Sequence, residues 1–185
     1  TVINAAPRPS YPSNVPTFRE PFDSEAPALL RYARRLTGTR SDAEEIVQEA
    51  FLALHRRIAE DGGELTNARA WLFRVTTNAA RDLERQRRVR ARDASQSDAG
   101  TGVLDFESHL ERRQLTRQTL QRMPRRMRRV LLLWSEGFKY REIADITGIE
   151  PGYVGVLLQR ARALFRKDFE QLESGNTGRK HDGVL

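Results

Sequence analysis

Between residues 68 and 92 the chain sets eight arginines, at 69, 74, 81, 85, 87, 88, 90 and 92, against only Asp82 and Glu84, a local balance of +6. Guanidinium groups at this density suit bidentate hydrogen bonding to phosphates and to base edges. Asn78 stands among them and can bond a base edge through both ends of its amide. It also closes a run, Thr76-Thr77-Asn78, of poor helix-interior residues that helix stability alone does not call for. Base contact and a side-chain-to-backbone role are both open for Asn78. Just upstream the sign reverses. Residues 41 to 64 hold seven acids against Arg56 and Arg57, a balance of −5. Neighbouring segments of opposite charge suggest two partners, a protein surface for the acidic one and nucleic acid for the basic one. Two solvated faces attracting each other is the plainer alternative, but the arginine excess is too large for internal pairing to absorb. Glu45, Gln48, Glu49 and Leu52 fall at i, i+3, i+4 and i+7, one helical face beside the apolar stripe, and form a plausible docking strip.

A second constellation lies at residues 138–162, FKYREIADITGIEPGYVGVLLQRAR. Ile143, Ala144 and Ile146 give a short helix an apolar face, Gly148 supplies a left-handed residue for the turn, and Pro151 suits a first helical position. Val154, Leu158 and Ala161 carry the next helix at i, i+4, i+7. This is the pattern of a helix-turn-helix, whose second helix normally enters the DNA major groove. An ordinary helical hairpin in a core is the alternative.

The elements that must position these residues are helical throughout, because no strand-like alternation of useful length occurs. Six of the eight prolines fall in the first 27 residues, so residues 1–24 are expected to be a disordered, Pro-rich arm. Helical periodicity starts near Glu25 and ends at Gly38. A second helix opens with Ser41 and Glu44 as a capping box and buries Ile46, Val47, Ala50, Phe51, Leu54 and Ile58. The segment from Glu60 to Thr66 reads as a loop. A long third helix from Asn67 turns Trp71, Leu72, Val75, Ala79 and Leu83 inward. Residues 93–105, small and polar, have the composition of a flexible linker. Helix resumes near Phe106, breaks at Met123-Pro124 and leads into the helix-turn-helix, and residues 174–185 read as a flexible tail. The expectation is an all-α chain of two small helical domains, residues 25–92 and 106–173.

Composition narrows the function. A net charge of +7 and a pI near 10.5 point to a polyanionic partner, and Lys occurs only at 139, 167 and 180, leaving 29 of the 32 basic residues as Arg. With no cysteine and scattered histidines at 55, 109 and 181, no metal site is expected. No cofactor motif, no paired catalytic carboxylates and no nucleophile with a nearby base emerge, which argues against an enzyme such as a recombinase. The chain has neither an apolar run long enough for a membrane span nor a secretory leader, and a cytoplasmic protein is expected.

Two segments, in order, resemble one family. RYARRLTGTRSDAEEIVQEAFLALHRRI with ARAWLFRVTTNAARDLERQRRVR is similar to region two, and MPRRMRRVLLLWSEGFKYREIADITGIEPGYVGVLLQRARALF to region four, of the extracytoplasmic-function sigma factors of bacterial RNA polymerase. The resemblance implies reversible binding to core polymerase, promoter recognition in two pieces and assistance to strand opening. Glu45, Gln48 and Glu49, with Leu52 on the same face, match the surface that docks on the β′ clamp helices. Arg74, Asn78 and Arg81, with Arg85 and Arg88 further along, match the helix that engages the minus-ten element, where the family captures a flipped base. The Glu60 to Thr66 loop occupies the base-capturing position, and Trp71, in the AWLF signature, reads as core more readily than as a stacking platform. In region four Lys139, Arg141, Tyr153, Val156, Gln159, Arg160 and Arg162 fall where contacts with the minus-thirty-five element lie. The β flap and an anti-sigma factor are the further partners implied.

Region four departs from the family pattern. Where relatives commonly place a basic, a small polar and another basic residue, this chain has Gly155, Val156 and Leu157. These suggest recognition by shape, methyl contacts and the remaining arginines, or reliance on another protein. A sigma-like regulator acting mainly through protein contacts is therefore one alternative. A stand-alone helix-turn-helix regulator is another, but it leaves the acidic strip and the basic helix unexplained.

Overall fold

The computed structural model describes residues 19–60, 65, 67–93 and 107–181, and all regular structure among them is helical. In order, the helices are α1 (Arg19–Thr37), α2 (Arg40–Glu60), α3 (Ala68–Asp93), α4 (Glu107–Arg122), α5 (Arg125–Ser135), α6 (Tyr140–Thr147) and α7 (Pro151–His181). The two-part helical architecture expected from the sequence is present. Most of the proposed Pro-rich arm, most of the loop after Glu60 and nearly all of the linker lie outside the described residues.

In the first half α1, α2 and α3 pack on one another. α1 begins at Arg19 rather than near Glu25 and carries both Pro21 and Pro27. Pro21 lies in the first turn, where a backbone N–H has no intrahelical acceptor to lose. Pro27 does forgo one bond, and the burial of Leu29, Tyr32, Ala33 and Leu36 along the same helix offsets it. The cap of α2 is Thr39 and not Ser41: the Asp42 amide donates to Thr39 Oγ1 at 3.3 Å, and that hydroxyl bonds the Asp42 carboxylate in return. Glu44 instead pairs with Arg40 at 2.6 Å. α3 starts where Asn67 Oδ1 accepts from the Ala70 amide at 2.9 Å.

The inward line of α3 differs from the one the sequence suggests. Leu72, Phe73, Thr76, Thr77 and Ala80 are buried, whereas Trp71, Val75, Ala79 and Leu83 are half-buried at the flanks. The helix is rotated because it meets α1 and α2 on one side and α6 on another. Thr76 and Thr77 are therefore core residues. Thr77 Oγ1 donates to the Phe73 carbonyl at 2.6 Å and lies 2.8 Å from the Tyr32 hydroxyl, and burial holds the Tyr32 phenol well above its ordinary pKa. Asn78, the third member of the run, is exposed.

In the second half Pro124 separates α4 from α5, and α5, α6 and α7 pack together with α4 lying along α7. Val154, Leu157, Leu158 and Ala161 form the buried face of α7, which continues to His181, beyond the tail expected from residue 174. Phe165 stacks on Phe169 at 5.8 Å, and Ser174 Oγ donates to the Glu170 carbonyl at 2.8 Å, so the helical pattern persists past the globular part.

The two halves meet at an elbow made by the end of α5. Gly137, at φ +90°, allows the Gly137 amide to donate to the Trp134 carbonyl at 3.0 Å and the Phe138 amide to the Leu133 carbonyl at 3.2 Å, a Schellman turn. This turn delivers Phe138 against Phe73, with ring centroids 4.8 Å apart. Arg69 of α3 lies over the Phe138 ring at 4.8 Å and donates to the Glu136 carbonyl at 2.6 Å. A second tie joins Glu84 of α3 to Arg128 at 2.7 Å and Arg125 at 3.4 Å. Burial pulls the Arg128 guanidinium below its ordinary pKa and Glu84 opposes that shift. Removing the carboxylate strands a buried cation. We expect Glu84→Gln to lower the unfolding free energy by about 3 kcal/mol in urea titrations, and Arg128→Met in the same chain to restore most of it.

Candidate nucleic-acid and polymerase interface

α2 is buried on one side through Ile46, Val47, Ala50, Phe51 and Leu54. The opposite side presents Glu45, Gln48, Glu49 and Leu52, all exposed, with half of the Leu52 surface open to solvent. The strip read from the sequence is thus one continuous exposed face, three polar residues around one leucine.

On α3 the five minus-ten candidates, Arg74, Asn78, Arg81, Arg85 and Arg88, are all exposed. Their spacing of i, i+4, i+7, i+11 and i+14 keeps them within a narrow angular band for about 21 Å of helix. Arg85 lies 3.9 Å from Asp82, while Arg74, Arg81 and Arg88 make no ion pair among the described residues. Two other arginines of α3 point elsewhere. Arg69 serves the elbow and pairs with Glu25 at 3.1 Å, and Arg87 reaches Asp42 at 2.5 Å. Both lie about 120° around the helix from Arg81, so the apparent excess of cations divides into a set that pairs with the protein's own acids and a set that does not.

The start of the outward row borders a cleft of about 350 Å³ between the two halves. Arg57, Trp71 and Arg74 line it on one side, and Glu142 and Asp145 of α6 on the other. Trp71 is thus a wall of the cleft as well as a flank of the core.

The helix-turn-helix forms as the spacing predicts. The Glu142 carboxylate accepts from the Lys139 amide at 2.8 Å, Gly148 is left-handed at φ +71°, and Pro151 opens α7. Lys139, Arg141, Tyr153, Val156, Gln159, Arg160 and Arg162 are all exposed. They do not share one face: Arg162 turns aside, its guanidinium 5.0 Å from the Trp134 ring. Leu157 corrects the expectation that residues 155–157 all stand at the reading surface. It is buried, since helical phase puts it with Val154, Leu158 and Ala161. Gly155 lies beneath Tyr140, and a Cβ at 155 would meet Tyr140 Cε2 at 3.4 Å. Only Val156 of the three faces outward.

Sequence reasoning missed Arg69, Glu136, Phe138 and the Glu84–Arg128 pair. The helical phase of residues 69 and 87 would have separated them from the outward arginines. Nothing local announces Glu84 or Glu136, because their partners are distant in sequence.

An acidic-faced helix, an arginine-rich helix and a helix-turn-helix, docked as two all-helical halves, define a DNA-binding protein of the class that directs transcription initiation. Residues 22–90 match the Sigma-70 region 2 family and residues 113–165 match Sigma-70, region 4. The chain is 31% identical over 155 residues to the ECF RNA polymerase sigma factor SigL of Mycobacterium tuberculosis, covering 82% of this chain and 88% of that protein. It is 31% identical over 150 residues to the ECF RNA polymerase sigma factor EcfG of Rhodopseudomonas palustris, covering 80% and 82%. The fold is that of the sigma factor RpoE solved with the anti-sigma factor NepR from Bartonella quintana, at a TM-score of 0.68 and 24% identity, over 84% of this chain and 98% of that one. The chain belongs to the ECF sigma factors and is a transcription-initiation factor of RNA polymerase. No helix among its described residues is long and apolar enough to cross a membrane.

Gly155 sits in mid-helix with room for a methyl group. Gly155→Ala should therefore raise thermal stability by about 0.5–1 kcal/mol, measured by calorimetry on the purified chain; a loss of stability would show that the Tyr140 ring cannot accommodate the added carbon.

Proposed function

We propose that this sigma factor docks on the β′ clamp helices of core polymerase through Glu45, Gln48, Glu49 and Leu52, and engages the minus-ten element through Arg74, Asn78, Arg81, Arg85 and Arg88. Region four contacts the β flap and the minus-thirty-five element, the latter through Lys139, Arg141, Tyr153, Val156, Gln159, Arg160 and Arg162. The chain carries no catalytic step of its own and acts where the polymerase is, in the cytoplasm. The observation that carries this reading is the sorting of α3: Arg69 and Arg87 turn to the protein's own acids, and a separate exposed row of arginines with Asn78 runs along another face. Such a row can follow a phosphate backbone, with the amide placed to hold an unstacked base.

The minus-ten and minus-thirty-five elements lie about 25 base pairs apart, or about 85 Å at 3.4 Å per pair. A compact chain of this length has a radius of gyration of about 16 Å. Its two halves therefore part when both elements are held, and the 13 residues between α3 and α4 can span about 45 Å at full extension. The docked state keeps Glu142 and Asp145 across the cleft from Arg74 and so disfavours DNA there. Sigma factors of this fold have been solved with anti-sigma factors, RpoE with NepR and CnrH with the cytosolic domain of CnrY. We extend this kind of partner to the present chain.

The test is open-complex formation by the purified chain with core polymerase on promoter DNA. Tight duplex binding without core binding would overturn the proposal in favour of a stand-alone regulator. Glu49→Lys is expected to weaken core binding about tenfold, or about 1.4 kcal/mol, and unchanged affinity would remove the docking assignment. Asn78→Ala is expected to slow strand opening by 10- to 100-fold, equivalent to about 1–3 kcal/mol, with little change in duplex binding. Equal losses in both assays would mean that Asn78 does not hold a base.

A further inference from the structure

The outer face of α7 is unusual for a surface expected to meet DNA, because its centre is apolar. Tyr153 and Val156 are 42% and 41% exposed, and Tyr140, which reaches across from α6, is 51% exposed. Gly152, Gly155 and Ala163 leave the backbone around them low. Single exposed apolar residues need no explanation, whereas a contiguous group on one helix face does. These side chains are not spare core, since the core of α7 is supplied by Val154, Leu157, Leu158 and Ala161 on its other side.

The group is also held in place. Tyr140 fits over Gly155, where a side chain longer than a methyl group would have the ring in its path. The Tyr153 hydroxyl lies 3.5 Å from Arg160 Nη1, a link from i to i+7 that passes Val156. Val156 thus stands exposed one residue on from the Gly155 that Tyr140 covers and three residues on from Tyr153, on the side of α7 away from its core. Lys139 and Arg141 at the start of α6, and Gln159 and Arg160 on α7, are all exposed, while Glu142 and Asp145 of α6 line the cleft toward α3; Glu150, just before α7, is an exposed acid of the same motif. Exposed apolar and cationic side chains together on a helix-turn-helix fit the DNA major groove, where thymine alone among the bases carries a methyl group.

We propose that α7 reads the centre of the minus-thirty-five element through thymine 5-methyl groups, with Val156 as the contact residue, Tyr140 and Tyr153 as the exposed aromatics of the same motif, and Arg160 and Lys139 on the flanking phosphates. The proposal rests on the assignment of α7 to the minus-thirty-five element. It replaces the hydrogen-bonding readers usual at these positions with a test of shape and methylation state.

The experiment uses the holoenzyme formed from the full chain and core polymerase. A preferred minus-thirty-five sequence is selected from a randomised duplex pool, and each thymine in it is then replaced by uracil, which removes the methyl group and leaves the base-pairing and hydrogen-bonding edges unchanged. We expect the affinity to fall about fourfold at one or two central positions, the value for about 0.8 kcal/mol per buried methyl group. The exposed substitution Val156→Ala should abolish the difference between thymine and uracil. If uracil binds as well as thymine while selection still yields a defined element, the methyl-reading proposal fails and α7 remains a DNA reader of another kind. If selection yields no preference in this region, the underlying assignment fails and takes the proposal with it. If Val156→Ala weakens binding to core polymerase in the absence of DNA, the patch is a protein-docking face and the proposal is overturned.

Discussion

The end of α5 governs how the two halves of the molecule sit. A helix that stops in a Schellman turn directs its next residue sharply off the helix axis, and here that residue is Phe138, placed against Phe73 and beneath Arg69. The negative end of the α5 dipole and the Glu136 carboxylate are met from region two by three arginines: Arg69 at the carbonyl, and Arg35 and Arg31 at 3.8 and 4.0 Å from the carboxylate. Magnitudes decide which part matters more. Arg31 and Arg35 are largely solvated, and pairs of that kind contribute at most about 1 kcal/mol each. A buried phenylalanine ring contributes about 2–3 kcal/mol by area alone. The apolar contact holds the elbow, and the charges set its direction.

A chain with so many arginines has to keep those that hold the fold distinct from those that meet a polyanion. The helix does this by phase. Arg69 and Arg87, both only partly covered, turn toward Glu25, Glu136 and Asp42, while Arg74, Arg81, Arg85 and Arg88 leave the helix at other angles and are exposed. Arg128 follows the same logic in α5, where its desolvation is balanced by Glu84. Acids are divided in the same manner: those of α2 that pair internally, Asp42 and Glu44, are distinct from Glu45 and Glu49 on the open strip. A count of charges per segment cannot show this division, because it depends on which way each side chain leaves the helix.

Much of the fold was legible because helical periodicity, Gly148, Pro124 and Pro151 are local signals whose physical meaning does not depend on distant residues. The α2 strip and the α3 row were legible for the same reason, since spacing on a helix fixes a face. What escaped was long-range. Thr76 and Thr77 look like interruptions until Tyr32 and a second packed layer are placed beside them. Leu157 looks like a reader when positions are counted along the family pattern and becomes core once the phase of α7 is fixed by Val154 and Leu158. Thr39 and Ser41 are both competent caps for α2, and it is the Thr39 hydroxyl that meets the Asp42 amide. α1 starts six residues before its apolar periodicity does, because a first turn tolerates the proline that elsewhere stops a helix.

The fit of Tyr140 over Gly155 ties two positions 15 residues apart into one unit. A long basic side chain at 155, of the sort the family commonly carries, would have to displace the ring, and a smaller residue at 140 would leave Gly155 as a bare weak point in the helix. Alanine at 155 leaves the ring in place, whereas a longer side chain there needs a smaller residue at 140. The order of substitutions therefore matters: a long basic side chain can enter at 155 only after the ring at 140 has been replaced.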